Sequence, residues 1–482
     1  MLENARVVTF DPRRPVAQAI AVRDGRVVAL GASRALRRLA GRSTERFDCR
    51  GATVLPGLID PHLHLFALAA GRVNLDCAPA RSPEEVLALV RRRASGLPAG
   101  AWVRGEGIDE GRLGRLPSAR ELEAAAQGRP VRIRHRSLHA SLLSVSALRL
   151  LGDGPGIERF DGRPTGLVFG REAVLSRLVG PLPPDALADG LAAVARELAG
   201  LGLTTVADAT PRRYRELAPL RVAMEARRFA LRVFAMRPPG SRPWPGAGRL
   251  FPGPVKIMVE EEPQGLRPHP ARLARLIARA AASGAQVAVH CVGAATLAAA
   301  LAAFAALPRR LRAGRRHRLE HVAECPPPLV ARIASLGLTV VTNPAFVHWR
   351  GDAYLEETSG PARAWLYRAR SLARAGVALA GASDAPVVPP SPWVGIAAAR
   401  ARRTAGGAAL GVAERLGAAP ALRLFTTGAA FALGADALGA LAPGGPADLV
   451  VVEPDPLRAP PDEVADARAR LTLAAGERAW PA

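Results

Sequence analysis

The chain has 482 residues, of which 49% are hydrophobic and 22% are charged, and its formal net charge is +24. This length is too great for one small domain and suffices for a barrel and a second unit. No run of about 18 apolar residues occurs, and the first residues lack the apolar core of a signal peptide. We therefore expect a cytoplasmic protein with no membrane partner.

The positive charge does not by itself indicate nucleic-acid binding. Arginines are spread over the whole chain, aromatic residues make up only 4%, and no DNA- or RNA-binding motif occurs. The codon usage of a GC-rich genome explains the arginines, so a nucleic-acid binder is the least favoured alternative. We expect a small molecule as partner and leave a homo-oligomer open. The four cysteines lack Cys-x-x-Cys spacing and predict neither disulfides nor a cysteine-based metal site.

Lys256 is the only lysine among the 66 lysine and arginine residues. Arginine stays charged and cannot react as a nucleophile, whereas a buried lysine can lose its proton and react. Lys256 lies inside the apolar run Pro254-Val-Lys-Ile-Met-Val259. A chemical role is therefore favoured over chance retention of one surface lysine.

Short β-type runs begin and end the chain. Near the start they are separated by Asp24-Gly25, a typical hairpin turn, and near the end they include Pro446–Val452 and Ala469–Gly476. Since chain termini often lie close together, we predict that residues 1–56 and 430–482 form one composite β-sandwich domain.

The middle of the chain alternates strands with helices. Helical stretches are predicted at 270–283 and 294–307. Eight strand-like runs occur near 54–59, 203–208, 231–236, 254–259, 286–290, 317–322, 338–342 and 376–382. This order predicts an α/β fold, a TIM-type (β/α)8 barrel over residues 57–429 with an inserted subdomain at about 72–185. The Pro- and Gly-rich segment 237–253 makes a poor helix and counts against the scheme.

In such a barrel the functional groups lie where the strands end. His62 and His64 follow the first strand, and their i, i+2 spacing lets both imidazoles face one point. Later strand ends carry Lys256, His290, His321, Ser383 and Asp384. Each histidine alone is more often a packed or loop residue. Histidine and aspartate together are typical metal ligands, and their placement at successive strand ends favours a metal site.

These motifs resemble the amidohydrolase superfamily, in particular amidohydrolase family 3, which includes YtcJ-like proteins and N-substituted formamide deformylase. The likeness covers nearly the whole chain. It is carried by Leu55-Pro-Gly-Leu-Ile-Asp-Pro-His-Leu-His64, Val255-Lys-Ile257, Val289-His290, His317-Arg-Leu-Glu-His321, Gly381-Ala-Ser-Asp-Ala-Pro-Val387 and Gly444-Gly-Pro-Ala-Asp-Leu-Val450. The resemblance implies a metal shell of His62, His64, Lys256, His290, His321 and Asp384. It further implies that Lys256 is carboxylated and bridges two metals.

The implied activity is hydrolysis of a non-peptide carbon–nitrogen bond in an amide, formamide or cyclic amide. A divalent metal, with zinc expected and one or two ions left open, activates water, and Asp384 shuttles the proton. Two alternatives remain: deamination of an amino-heterocycle at the same metal site, and a catalytically silent binding protein on the same scaffold.

Three departures from the family pattern concern the substrate pocket rather than the metal shell. Glu260 begins a Glu-Glu-Glu run where the family usually has Asp-Gly, and Ala294 stands where an aspartate is usual. His139 is followed five residues later by Ser144 instead of asparagine. We interpret His139 and Glu260 as substrate-pocket candidates, with a structural role for His139 equally open. His135, His269, His317 and His348 are interpreted as structural or surface residues.

Overall fold

A computed structural model describes residues 1–136 and 140–481. Residue contacts divide the chain into two compact units, Met1–Leu65 with Val194–Ala482, and Phe66–Ala193. The predicted division between a β domain and a barrel within the first unit stays a prediction. None of the helices in the described ranges combines the length and the apolarity that crossing a bilayer requires.

Eight parallel strands form a nearly closed barrel in the first unit, as predicted. They are β1 (Leu58–Leu63), β2 (Leu203–Asp208), β3 (Arg232–Arg237), β4 (Leu250–Ile257), β5 (Val287–Cys291), β6 (Arg318–His321), β7 (Thr339–Thr342) and β8 (Ala378–Gly381). Each strand is hydrogen-bonded to the next one in this order. The segment after β8 is bonded to β1 and the residue that follows it: Asp384 N donates to His62 O at 2.9 Å, and His64 N donates to Ala385 O at 2.7 Å.

The prediction of one strand at 54–59 was wrong. Thr53–Pro56 pairs with strands of a different sheet, and the barrel strand begins at Leu58. Gly57 connects the two strands. A larger residue would not fit at this position, because a Cβ there would lie 2.3 Å from Thr204 Oγ1. His62 consequently lies within the barrel strand rather than after it. The Pro-Gly pair marks a change of sheet, which hydrophobic periodicity cannot reveal.

The connections carry the expected helices, with one exception. Helices predicted at 270–283 and 294–307 occur as Pro270–Ala282 and Ala294–Ala305. Between β3 and β4 no helix forms, in agreement with the Pro and Gly content there, yet the barrel still forms. The remaining α-helices of the first unit are Ser33–Leu36, Ala218–Glu225, Arg309–Arg312, Pro327–Leu336, Ala345–Trp349, Gly351–Glu357, Gly360–Ala364, Ala369–Arg374, Pro392–Ala401, Ala418–Arg423, Thr427–Leu433 and Pro461–Ala465.

Strand alternation separates the packing residues from the site residues. Val255 and Ile257 of β4 pack in the cluster that includes Leu273 and Leu297 of the flanking helices. Lys256, between them, must point to the opposite face, into the barrel. The apolar side chains of this outer layer therefore fix the direction of the inward polar ones.

Strands from both ends of the chain share one six-stranded sheet. Its order is Glu477–Trp480, Arg468–Ala474, Leu449–Glu453, Thr53–Pro56, Arg6–Val8 and Val16–Ala17. A four-stranded sheet has the order Arg26–Gly31, Ala19–Arg23, Leu2–Glu3 and Phe47–Asp48. Val54 and Val451 of the first sheet and Leu2 and Ile20 of the second belong to one buried cluster.

The second unit contains its own six-stranded sheet and core. The sheet order is Ile157–Phe160, Arg163–Phe169, Ala140–Leu143, Val131–His135, Val103–Ile108 and Leu75–Asp76. Its helices are Pro83–Ser95, Glu110–Leu113, Ala119–Ala125, Val145–Leu151 and Glu172–Val179. The boundaries between the first and the second unit fall within two further helices, Leu65–Val73 and Pro184–Gly200. Val86, Val103 and Val131 are fully buried in its main core.

Candidate metal centre

The barrel strands bring the six predicted shell residues into one cluster. Register places Lys256 of β4 opposite Ala288 of β5, and Cys291, the neighbour of His290, opposite His321 of β6. Asp384 follows β8 and is tied to β1 by its backbone hydrogen bond to His62. Residues far apart in the chain therefore face one point at the carboxyl ends of the strands.

The imidazoles and the amine lie close together. The ring centroids of His62 and His321 are 4.8 Å apart, and those of His290 and His321 are 4.6 Å apart. Lys256 Nζ lies 3.4 Å from His62 Nε2. His62 and Lys256 are 1% and 3% exposed, so the cluster is almost closed to solvent at this depth.

Asp384 completes the cluster from the β8 side. Its Oδ1 lies 3.3 Å from His62 Nε2 and 3.2 Å from His64 Nε2. This oxygen is buried, and no residue within 1–136 and 140–481 donates a hydrogen bond to it. Its backbone has φ 60°, and that of His321 has φ 71°, a conformation that non-glycine residues adopt at a cost. Strain of this kind concentrates at functional sites.

Three of the histidines have a partner on Nδ1, which leaves Nε2 free to face the cluster. His62 Nδ1 contacts Glu320 Oε2, His64 Nδ1 lies 2.7 Å from Thr210 Oγ1, and His321 Nδ1 lies 2.8 Å from Asn343 Oδ1. Metal-binding histidines are oriented in this way by their second nitrogen.

Sequence reasoning missed Glu320, Thr210 and Asn343. A signal for Glu320 was present, since Arg318 and Glu320 alternate with apolar Leu319 in a buried strand and so point to its inner face. Nothing comparable marks Thr210 and Asn343, which lie beyond their strands.

Sequence reasoning also missed two buried acids whose carboxylates accept hydrogen bonds from backbone amides. Asp60 accepts hydrogen bonds from the amides of His62 and Ser383, and burial raises its pKa to about 6. Asp208 accepts from the amides of Leu65 and Thr210, and burial raises its pKa as well. Ser383 thus takes part through its backbone amide, which fixes the segment leading to Asp384.

Burial and charge set the protonation states of the cluster. Burial lowers the pKa of the Lys256 amine, and it lowers that of His290 to about 4, with the charge of Lys256 acting in the same direction. Burial raises the pKa of Asp384, but the neighbouring imidazoles of His62, His64 and His321 outweigh burial and lower it overall. These shifts favour a neutral His290 and an ionised Asp384 carboxylate, and they make the Lys256 amine easier to deprotonate.

This donor set fits a divalent metal. Ligand atoms of His62, His64 and Asp384 all lie within 4.8 Å of one another. Nitrogen and carboxylate oxygen donors of this kind suit zinc and related metals. The buried Asp384 Oδ1 between two imidazole nitrogens is an acceptor whose natural partner is a cation.

Of the two predicted pocket residues, Glu260 lies outside this cluster. Glu260 is exposed and begins the strand Glu260–Glu262, which pairs with Gly265–Arg267 in a hairpin after β4. His139 lies outside the described residues. Their substrate-pocket roles stay predictions.

Comparison with known proteins places the chain in a family. Residues 45–479 match the amidohydrolase family. N-substituted formamide deformylase of Arthrobacter pascens is 29% identical, with 95% of this chain and 94% of that protein covered. The putative amidohydrolase YtcJ of Bacillus subtilis is 26% identical, with 93% of each chain covered.

Solved structures show the same fold. An uncharacterised metal-dependent hydrolase of Pyrococcus horikoshii superposes with a TM-score of 0.81 at 23% identity, covering 96% of this chain and 98% of that one. The predicted family and enzyme class are confirmed: the chain belongs to the amidohydrolase family and is a hydrolase that acts on carbon–nitrogen bonds.

Proposed function

We propose that the protein hydrolyses a non-peptide carbon–nitrogen bond in a small amide, formamide or cyclic amide, with Asp384 as proton shuttle. The observation that carries the proposal is the position of Asp384 Oδ1, buried and 3.2–3.3 Å from the Nε2 atoms of His64 and His62. Within the described part of the chain, this oxygen makes no hydrogen bond that would explain its position.

His62, His64, Lys256, His290, His321 and Asp384 would hold one or two divalent ions, with zinc expected. When bound, the metal supplies Lewis-acid polarisation of the substrate carbonyl and acidifies water. The position of Lys256 supports carboxylation: a neutral amine adds carbon dioxide, forming an N–C bond and releasing a proton. The carbamate carries oxygen donors where an arginine could supply none.

Asp384 takes a proton from the attacking water and returns it to the leaving nitrogen as the C–N bond breaks. Ionisation of Asp384 in the resting site supports its role as the base. The backbone bonds that join Asp384 to His62, and Ala385 to His64, hold the carboxylate in register with the imidazoles. Burial of the neighbouring side chains excludes bulk water that would compete for the proton.

The formamide class is favoured by the relative from Arthrobacter pascens, whose name specifies N-substituted formamides. A composite β-sandwich domain of residues 1–56 and 430–482 remains part of the proposal, supported by the sheet that unites both ends. A small molecule is the proposed partner.

The test is a substrate panel with metal analysis. Purified protein is loaded with zinc, and N-substituted formamides, acetamides, cyclic amides and amino-heterocycles are supplied in parallel. We expect a carboxylate and an amine, or a ring-opened acid, from at least one amide class, and turnover at least about 100-fold lower in Asp384→Asn. Ammonia release from an amino-heterocycle would support deamination instead. Absence of bound metal and of turnover would support a silent binding protein.

A further inference from the structure

A buried ion pair lies behind the metal-facing histidines. Arg318 and Glu320 of β6 are both 0% exposed. Arg318 Nε donates to Glu320 Oε1 at 2.7 Å and Arg318 Nη2 donates to Glu320 Oε2 at 2.8 Å, so the pair is bidentate. This geometry is the strongest that an arginine and a carboxylate form.

The pair holds His62 at two points. Glu320 Oε2 contacts His62 Nδ1, and Arg318 Nη2 donates to the carbonyl of Pro61, the preceding residue, at 2.9 Å. One ion pair on β6 thus fixes both the ring of His62 and the backbone of β1 beside it.

Stability alone gives no reason to keep such a pair. Removing two charges from water costs free energy that their attraction only offsets, and well-packed apolar residues of similar volume often stabilise a protein as well or better. His64 and His321 are oriented by neutral groups, Thr210 and Asn343. His62 differs from them in having a charged and clamped acceptor.

We propose that Glu320 and Arg318 are positioning residues that hold His62 with its proton on Nδ1 and with Nε2 unprotonated toward Lys256 and Asp384. Glu320 accepts a hydrogen bond from the Nδ1–H group of His62, and Arg318 keeps Glu320 in place as a carboxylate. The consequence for metal binding rests on the proposed function, whereas the position of the proton is a property of the metal-free chain.

The first measurement is ¹⁵N NMR of metal-free protein labelled at histidine, with the His62 signals assigned by their loss in His62→Gln. We expect a protonated Nδ1 and an unprotonated Nε2. A proton on Nε2 would overturn the proposal, and this arm needs no variant of the ion pair to fold.

The second measurement uses the double variant Arg318→Met/Glu320→Gln, which removes both charges at nearly constant volume. Since a glutamine can either accept or donate, the fixed position of the proton should be lost. The affinity for zinc, measured by competition with a chromophoric chelator, should fall about 10- to 100-fold. A folded double variant with unchanged proton position and unchanged affinity would assign the pair a merely structural role.

The matched control is Arg316→Met/Asp436→Asn. Arg316 and Asp436 also form a bidentate pair, through the two Nη atoms with bonds of 2.8 and 2.7 Å, but Asp436 is 60% exposed. This variant should leave the His62 proton and zinc affinity as in the parent chain, and an equal loss in it would overturn the proposal. A parent chain with the expected proton but no metal binding would refute the proposed function and leave the positioning role in place.

Discussion

Among residues 1–136 and 140–481, two groups of side chains have the composition of a metal site, and they differ in their partners and their exposure. His62, His64 and Asp384 lie in the barrel, whereas Asp109, Glu110 and His135 lie in the inserted unit. In both groups the ligand atoms fall within 4.8 Å of one another. Distance alone therefore does not separate them.

Local partners separate the two groups. In the inserted unit, His135 Nε2 lies 2.7 Å from Glu110, Asp109 pairs with Arg136 at 3.1 Å, and Asp109 also accepts from the Gly111 amide at the start of a helix. Glu110 is 60% exposed. Those contacts explain the group as a helix cap and surface ion pairs.

In the barrel, the polar partners contact the outer nitrogens of the histidines and do not occupy the donor atoms that face one another. Glu320 and Thr210 engage the Nδ1 atoms of His62 and His64, and the Nε2 atoms face a buried carboxylate oxygen without a hydrogen bond to any described residue. Two features thus mark a candidate metal centre. Partners outside the cluster orient the histidines through Nδ1, and the donor atoms that face the cluster remain available for a metal.

Asp384→Asn should have the largest effect of any substitution in the barrel cluster. The substitution keeps the shape but removes the base, so turnover of the best substrate should fall about 10²- to 10⁴-fold. The rate is measured with zinc content and thermal unfolding recorded in parallel, which separates proton transfer from metal loss and misfolding. A rate within severalfold of the parent chain would remove Asp384 from the mechanism.

Lys256→Ala should have the next largest effect. Loss of the proposed carbamate should lower zinc affinity at least about 100-fold, beyond what an outer partner contributes. Acetate or propionate should restore part of the bound metal and of the activity, because each can place a carboxylate in the vacated space; chloride is the control. Full activity without added carboxylate would refute the carbamate bridge.

Thr210→Val tests the contribution of a residue that orients a histidine from outside the cluster. The variant keeps the volume of the side chain but removes the Nδ1 partner of His64, which is 32% exposed and less constrained than His62. We expect zinc affinity to fall about 10-fold, the lower end for outer partners. An unchanged competition titration would show that His64 needs no orienting partner.

The smallest effect is expected in the inserted unit. Asp109→Asn/Glu110→Gln should change the free energy of unfolding by less than about 1 kcal/mol, as for other surface ion pairs. Zinc stoichiometry and turnover should stay unchanged. Loss of one equivalent of zinc in this variant would make the second group a metal site and would invalidate partner geometry as the criterion.

The sequence predicted the barrel because its buried strands are apolar runs between helices. It predicted a chemical role for Lys256 because this residue is the only lysine in a chain rich in arginine. It placed His62 after a strand rather than inside one, since the change of sheet at Gly57 depends on close packing against Thr204. Thr210 and Asn343 could not be found, because only the assembled barrel shows which loop side chains reach a histidine. The roles of the six clustered residues as ligands remain predictions.

The most direct test is a crystal of the zinc-loaded protein with anomalous diffraction measured on both sides of the zinc absorption edge. We predict a zinc signal between His62, His64, Lys256, His290, His321 and Asp384, and none at Asp109, Glu110 and His135. Zinc bound elsewhere, with the barrel cluster empty in a protein that still hydrolyses amides, would contradict the account.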